Sequence, residues 1–410
     1  MNVYQRVYLD YAATAPLLPQ VREAMLPYLG QHFGNASALY AEGKEARKAL
    51  EQARDTLAAI LNVSPLELTF CSGGTEAAAT LCGGMARALA AARSGARHLI
   101  CSAFEHHAVL DNCLALRRQG FEVSLLRPRR DGRIHPDDLS ALLRKDTLLV
   151  AVMWVQNELG TVQPLAELSH VAHQHGACFF TDAVQGLGKL PVELATWQVD
   201  AAAFSAHKIG GPQGVGLFYL RQGTPFMPSL LGGGQESKRR SGTQNVAGAM
   251  GFAKAAEQLA PSILEREAQR LAILRDETLA KALALSPRVR ATVDIQPGDI
   301  YCHLPGLLHL LMRDIESQTL VLALDESGIA ASGGAACSSG SLKPSHVVTS
   351  LGIASDLAHG ALRISMGSGS CPQDCELLIT ALAKILARYY GKNAEAPNRQ
   401  ATRAKKSCRS

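Results

Sequence analysis

Between residues 66 and 220, short and continuously apolar runs alternate with stretches of helical periodicity, and this alternation restricts the fold more than any other feature of the chain. Leu68-Thr69-Phe70, His98-Leu99-Ile100-Cys101, Glu122 to Leu126, Leu148 to Val155, Ala177 to Phe180 and Ala201 to Phe204 read as strands. A strand with one wet face alternates apolar and polar residues. A run that is apolar throughout needs cover on both faces, as in a parallel sheet packed between helices. Gly214 to Leu220 follows its predecessor too closely for a helical crossover, so it should pair antiparallel. Upstream, Ala46, Ala49, Leu50, Ala53, Leu57, Ile60 and Leu61 predict a helix over 44–61, and a longer helical stretch covers 261–286. The expected class is α/β with a mostly parallel sheet, followed by a smaller α+β unit over about 287–390.

Composition narrows the function classes. With 47% hydrophobic and 19% charged residues in 410, the chain is ordinary globular material, long enough for one large and one smaller domain. No apolar run approaches the roughly eighteen residues of a membrane span, and the opening ten residues lack a secretory pattern, so the expected location is the cytoplasm. The ten cysteines are scattered, several within strand-like runs, which does not suggest a disulfide framework. The net charge of +5 resides in residues 391–410, where Lys392, Arg399, Arg403, Lys405, Lys406 and Arg409 face the single acid Glu395. The body is neutral, so direct nucleic-acid binding is not expected, and the basic, aperiodic tail reads as disordered.

In an open parallel sheet, ligands bind beyond the carboxyl ends of the strands. Five strands here deliver polar residues to that edge. They are Ser72-Gly73-Gly74-Thr75-Glu76, Glu105-His106-His107, Gln156-Asn157-Glu158, Thr181-Asp182-Ala183-Val184-Gln185 and Ser205-Ala206-His207-Lys208. Gly73-Gly74-Thr75 before a helix offers backbone N–H groups and a hydroxyl to an anion. Singly, each segment is also compatible with a turn, a cap or a solvated side chain. Together they combine a phosphate cradle, an aromatic histidine, a carboxylate and a lysine. Farther on, Cys337 lies in Ala331-Ser332-Gly333-Gly334-Ala335-Ala336-Cys337-Ser338-Ser339-Gly340, a setting of small residues suited to a mobile loop presenting a thiol.

Ser205-Ala206-His207-Lys208-Ile209-Gly210-Gly211-Pro212-Gln213-Gly214 resembles a segment of the class V aminotransferases. From Leu9-Asp10-Tyr11-Ala12-Ala13-Thr14 to about residue 390 the chain resembles cysteine desulfurases of the nitrogen-fixation and iron–sulfur-cluster type. Asn157-Glu158-Leu159-Gly160, Gly232-Gly233-Gly234-Gln235-Glu236, Arg240-Ser241-Gly242-Thr243 and Leu362-Arg363-Ile364-Ser365 carry the likeness in the family's order. The resemblance implies the pyridoxal-phosphate (PLP) transferase fold type I, like aspartate aminotransferase. Its large domain would span 16–264, its small domain 1–15 with 265–390, and a tail 391–410.

It also implies roles. Lys208 would hold PLP as a Schiff base and move protons on the substrate carbon. Asp182 would pair with the pyridinium nitrogen, Gln185 with the ring oxygen, and His106 would stack on the ring and serve as an acid–base group. Gly74, Thr75, Ser205 and His207 would hold the phosphate, with Thr243 reaching it from the other subunit of a homodimer. Asn157 and Arg363 would bind the substrate, Arg363 through its carboxylate. Cys337 would take sulfur from L-cysteine, leaving L-alanine and a persulfide for an acceptor such as an iron–sulfur scaffold or a tRNA-thiolation factor. A selenocysteine lyase, or a silent sulfur-relay or scaffold subunit, are the alternative expectations.

Ala78 and Ala79 stand where the family usually has asparagines, and Ser368-Gly369-Ser370-Cys371 where it usually has an arginine and threonines. His170, His173 and His175 lie close together, but with no cysteine or acid completing a ligand set they read as a solvated helix face, and no metal site is expected. Cys371 and Cys375, four apart, do not have the spacing of a redox or zinc pair.

Overall fold

A computed structural model describes residues 6–334 and 344–391; Cys337 and the tail from residue 392 lie outside the described residues. The main sheet has seven strands: β2 (Leu68–Cys71), β3 (His98–Ser102), β4 (Glu122–Leu126), β5 (Thr147–Ala151), β6 (Cys178–Asp182), β7 (Ala201–Ser205) and β8 (Gly216–Leu220), with β1 (Val7–Tyr8) elsewhere. Their order is β2-β8-β7-β6-β5-β3-β4. Only β8 is reversed, antiparallel to both β2 and β7. The remaining pairs are parallel, so the carboxyl ends of β2, β3, β5, β6 and β7 share one edge.

The continuous apolarity of these strands has the expected cause. Phe179 packs into one core and its neighbour Phe180 into another, on opposite faces of the sheet, and both are fully buried. Leu149 and Val150 divide in the same way. The strand expected over 148–155 ends at Ala151, although Val152 and Trp154 still donate to the Phe180 and Asp182 carbonyls of β6 at 3.1 and 2.9 Å. These residues stay buried, so apolarity alone does not mark the end of the strand. The predicted helices are Ala41–Leu61 and Pro261–Ala284, the first starting three residues early and the second ending two residues early.

Three further strands, β9 (Val289–Ala291), β10 (Leu307–Met312) and β12 (Ala361–Ser365), form an antiparallel sheet in the order β12-β10-β9; β11 (Ile329–Ala330) pairs with β1 instead. Helices Pro261–Ala284 and Pro372–Tyr390 contribute to the core around this sheet. No helix among the described residues is long and apolar enough to cross a membrane.

Residues 10–15 join the two sheets. The Ala12 N–H donates to Ser365 Oγ at 2.9 Å, and the Tyr11 N–H to the Ser365 carbonyl at 3.1 Å, at the end of β12. On the other side, the Ala15 N–H donates to the His207 carbonyl at 2.9 Å, just past β7.

A buried ion pair fixes the near side of the main sheet. Arg54, on helix Ala41–Leu61, donates to both carboxylate oxygens of Glu236 at 2.8 and 3.0 Å and to the Leu68 carbonyl at 3.0 Å. Glu236 also accepts from the Phe70 N–H of β2 at 2.9 Å. Neutralising one partner of such a pair leaves the other charge buried and uncompensated. Glu236→Gln is expected to lower stability by about 3–5 kcal/mol, read as a fall in the urea unfolding midpoint; an unchanged midpoint would show that the pair does not hold these elements together.

Candidate active site

A cavity of about 220 Å³ opens at the shared carboxyl edge of the main sheet. It lies by the switch point between β3 and β5, where strand order reverses and crevices form in α/β sheets. All the expected site residues among those described, except Thr243, line it. Thr243 is exposed and does not line the cavity.

At one end, β2 leads into helix Gly74–Ala92 through Gly73, whose φ of +156° is a conformation that suits glycine. A Cβ on Gly74 would stand 2.8 Å from Val184 Cγ2, so the helix start can approach the β6 turn only without a side chain. The first N–H groups of this helix have no carbonyl of their own helix to bond, and Thr75, Ser205 and His207 line the cavity beside them. This corner has the donors a phosphate requires.

Asp182 ends β6 as a buried carboxyl accepting from the Val184 N–H at 2.9 Å. Burial, offset in part by that N–H and by the Lys208 charge, pushes its pKa up to about 6. A carboxyl so desolvated is relieved by a cation, as a protonated ring nitrogen would be. Lys208 sits in a 3₁₀ turn, Ala206–Ile209, closed by Gly210 at φ +77°. Its ammonium donates to the carbonyls of Ala12 at 2.6 Å and Ala13 at 2.8 Å. His207 Nδ1 lies 3.1 Å from Thr14 Oγ1, and burial followed by the charges of Lys208 and Lys189 pushes its pKa down to about 4.

His106 follows β3 and caps helix His107–Ala115, its Nδ1 accepting from the Ala108 N–H at 3.1 Å. In the neutral ring the proton therefore sits on Nε2. Burial, then the positive charge of Lys208, pushes its pKa down to about 4. Just before it, buried Glu105 accepts from the Met153 N–H at 2.6 Å and from the Ser102 hydroxyl, tying the ends of β3 and β5 together.

Arg363 reaches the cavity from β12. Its Nη1 donates to the Asn157 carbonyl at 2.9 Å and its Nη2 to Asp10 Oδ1 at 2.8 Å. Arg363 Nε and Asn157 Oδ1 are buried without protein partners, so both retain hydrogen-bonding capacity for a ligand. Sequence reasoning assigned no role to Asp10, to the Ala12 and Ala13 carbonyls, or to Lys189. Asp10 lies in the Leu9-to-Thr14 segment that carries the family likeness and could have been suspected from it, whereas backbone carbonyls leave no trace in residue types.

The profile of the family described as Aminotransferase class-V matches residues 7–378. The chain belongs to the class-V aminotransferase family. Within it, the chain is 40% identical over 390 residues to the cysteine desulfurase IscS of Dictyoglomus turgidum, covering 94% of this chain and 95% of that one. Among solved structures, a NifS-like protein superposes with a TM-score of 0.85 at 31% identity, covering 94% of this chain and all of that one. SspA in complex with cysteine superposes at a TM-score of 0.74 and 30% identity, covering 88% of this chain and 98% of that one. In open α/β sheets ligands bind beyond the carboxyl ends of the strands, which is the edge at which this cavity opens. The histidines His170, His173 and His175, on or just after helix Leu165–Gln174, bond to Gln174, Asp200 and the Val171 carbonyl.

The depressed His106 fixes a pH signature. Its ring stays neutral down to about pH 4 in the folded protein, while an unperturbed histidine titrates near 6.5. The unfolded state therefore binds more protons across that window, and His106 lowers stability as pH falls through it. An NMR titration of the cofactor-free protein should place the His106 midpoint near 4; a midpoint at or above the unperturbed value would contradict the dry, cationic surroundings described.

Proposed function

We propose that this protein is a PLP-dependent cysteine desulfurase that converts L-cysteine to L-alanine and carries the released sulfur as a persulfide on Cys337. The observation that carries the reading is the gathering, in one cavity, of Lys208, Asp182, His106 and Arg363 beside a helix start suited to phosphate. The names of the relatives point to the same reaction.

When bound, PLP supplies an electron sink for charge developing at the substrate's α-carbon. The Lys208 amine would hold the cofactor, and the same amine would take the α-proton and return it. Asp182 keeps the ring nitrogen protonated, and Gln185 donates to the ring oxygen. Thr75, Ser205, His207 and the N–H of Gly74 hold the phosphate. Asn157 orients the substrate, and Arg363 grips its carboxylate with the N–H groups not committed to Asp10 and Asn157. His106 would stack on the ring, and its Nε2–H would keep the substrate sulfur in the thiol form that a thiolate can attack. The Cys337 thiolate attacks the substrate sulfur. An S–S bond forms while the Cβ–S bond breaks, its electron pair remaining with carbon, which is then protonated to alanine. The persulfide sulfur passes to an acceptor protein, such as an iron–sulfur scaffold.

The active form in this reading is a homodimer. Leu29, Phe33, Leu39, Tyr40 and Leu231 are exposed apolar side chains of a kind that a second copy would cover. Exposed Thr243, outside its own cavity, would then serve the phosphate of the partner.

Incubation with L-cysteine and a thiol reductant, with alanine and sulfide both measured, tests the reaction. The wild type should release them in equal amounts. Lys208→Ala should lose alanine formation by on the order of a hundredfold or more. Cys337→Ser should retain bound cofactor yet form almost no alanine. A serine variant with wild-type turnover, or alanine released from selenocysteine but not from cysteine, would overturn the assignment.

A further inference from the structure

Lys189 follows Gln185 by four residues in the turn after β6 and is not among the residues assigned a role above. It lines a second, smaller cavity between the two sheets, with Tyr11, Glu267, Leu271, Gly306 and Met366. Its ammonium donates to the Gln185 carbonyl at 3.1 Å and to Gln185 Oε1 at 2.8 Å. The other end of the same amide, Gln185 Nε2, donates to the Ala12 carbonyl at 2.7 Å, which also receives the Lys208 ammonium at 2.6 Å. The main cavity and the smaller one are thus joined by a chain of polar contacts from Lys189 through Gln185 and Ala12 to Lys208.

An ammonium can only donate, so the contact with Lys189 fixes the oxygen of the Gln185 amide away from the cofactor cavity and its nitrogen toward it. One N–H of that nitrogen is taken by Ala12. The second remains to donate, and Gln185 lines the cavity. A cation bonded to an amide oxygen also polarises the amide and strengthens its N–H as a donor. No carboxylate among the described residues lies within ion-pair distance of Lys189. Burial first, then the charges of Lys208 and Arg363, push its pKa down to about 7, with Glu267 in the same cavity committed to Arg270. A buried cation in such company is stabilised when an anion is placed nearby.

We infer that Lys189 is a positioning residue that acts through the Gln185 amide to hold the ring oxygen of bound PLP in its anionic form. The inference rests on the reading that PLP binds in this cavity with its ring oxygen at Gln185. The proton shared between that oxygen and the nitrogen linking the cofactor to Lys208 is then lost at a lower pH than it would be without Lys189. Lys189 touches neither substrate nor ring.

The test is a titration of the absorbance of PLP-loaded protein against pH, which requires no turnover. Lys189→Met should raise the pH midpoint of the spectral change by on the order of one unit, the effect of a unit charge several ångströms away at the effective dielectric of a protein. Lys189→Arg should return it toward wild type. Should the methionine variant fold poorly, Lys189→Gln, which can still donate but carries no charge, should shift it in the same direction. In a Gln185→Leu background the Lys189→Met shift should shrink, since the path runs through that amide. An unchanged midpoint in the Met and Gln variants, with Gln185→Leu shifted, would overturn the role of Lys189 and leave the cofactor site standing. No PLP spectrum in the wild type, or none of these variants shifting it, would overturn the underlying reading as well.

Discussion

The carbonyl of Ala12 is the point on which the site depends. It accepts from Lys208 at 2.6 Å and from Gln185 at 2.7 Å, while the N–H of the same residue donates to Ser365 Oγ at 2.9 Å. One peptide segment therefore sets the lysine from the β7 turn and the glutamine from the β6 turn against the last residue of β12. Asp10, two residues earlier, adds an ion pair to Arg363 at 2.8 Å. Without this strap the two sheets would each retain a core, but Arg363 would lose its register with Asp182 and Lys208. It uses backbone groups for most of its contacts, so it holds position regardless of the charge carried by the ligands.

Charge in the cavity is arranged for anions. Lys208 and Arg363 line it with Asp182, while Lys189 lies behind the Gln185 amide and Asp10 pairs with Arg363. The two ring groups, His106 and His207, have their pKa values pushed down to about 4, first by burial and then by Lys208, so they act as neutral hydrogen-bonding rings at physiological pH. Asp182 moves the other way, up to about 6, because the same burial disfavours a carboxylate. A phosphate, a carboxylate and a cationic ring nitrogen would each correct one of these imbalances, which is the electrostatic support for the proposed PLP and amino-acid site.

Much of this was legible in the amino-acid sequence because an α/β sheet exposes its functional residues at a fixed place. Each strand is a short apolar run, and the residues immediately after it reach one edge; that rule alone collected Thr75, His106, Asn157, Asp182, Gln185, His207 and Lys208. The rule fails where contacts are remote or lack side chains. Arg54 and Glu236 pair across 182 positions, with no pattern to announce it. The Ala12 and Ala13 carbonyls look like any other backbone, and their residue type suggests only small size. Nothing in the amino-acid sequence sets Lys189 apart from other lysines, and only the structure puts its ammonium on the Gln185 amide. Strand ends were blurred for a related reason, since residues 152–155 stay apolar, buried and in part bonded to β6 past the end of β5.

In the proposed reaction the cavity delivers sulfur to one thiol, that of Cys337. Mass spectrometry of the wild-type protein after limited exposure to L-cysteine measures it directly. A single added sulfur is expected on the peptide containing Cys337, removed by a thiol reductant. Sulfur added instead to Cys371, Cys375 or Cys408, with the Cys337 peptide unmodified, would contradict it.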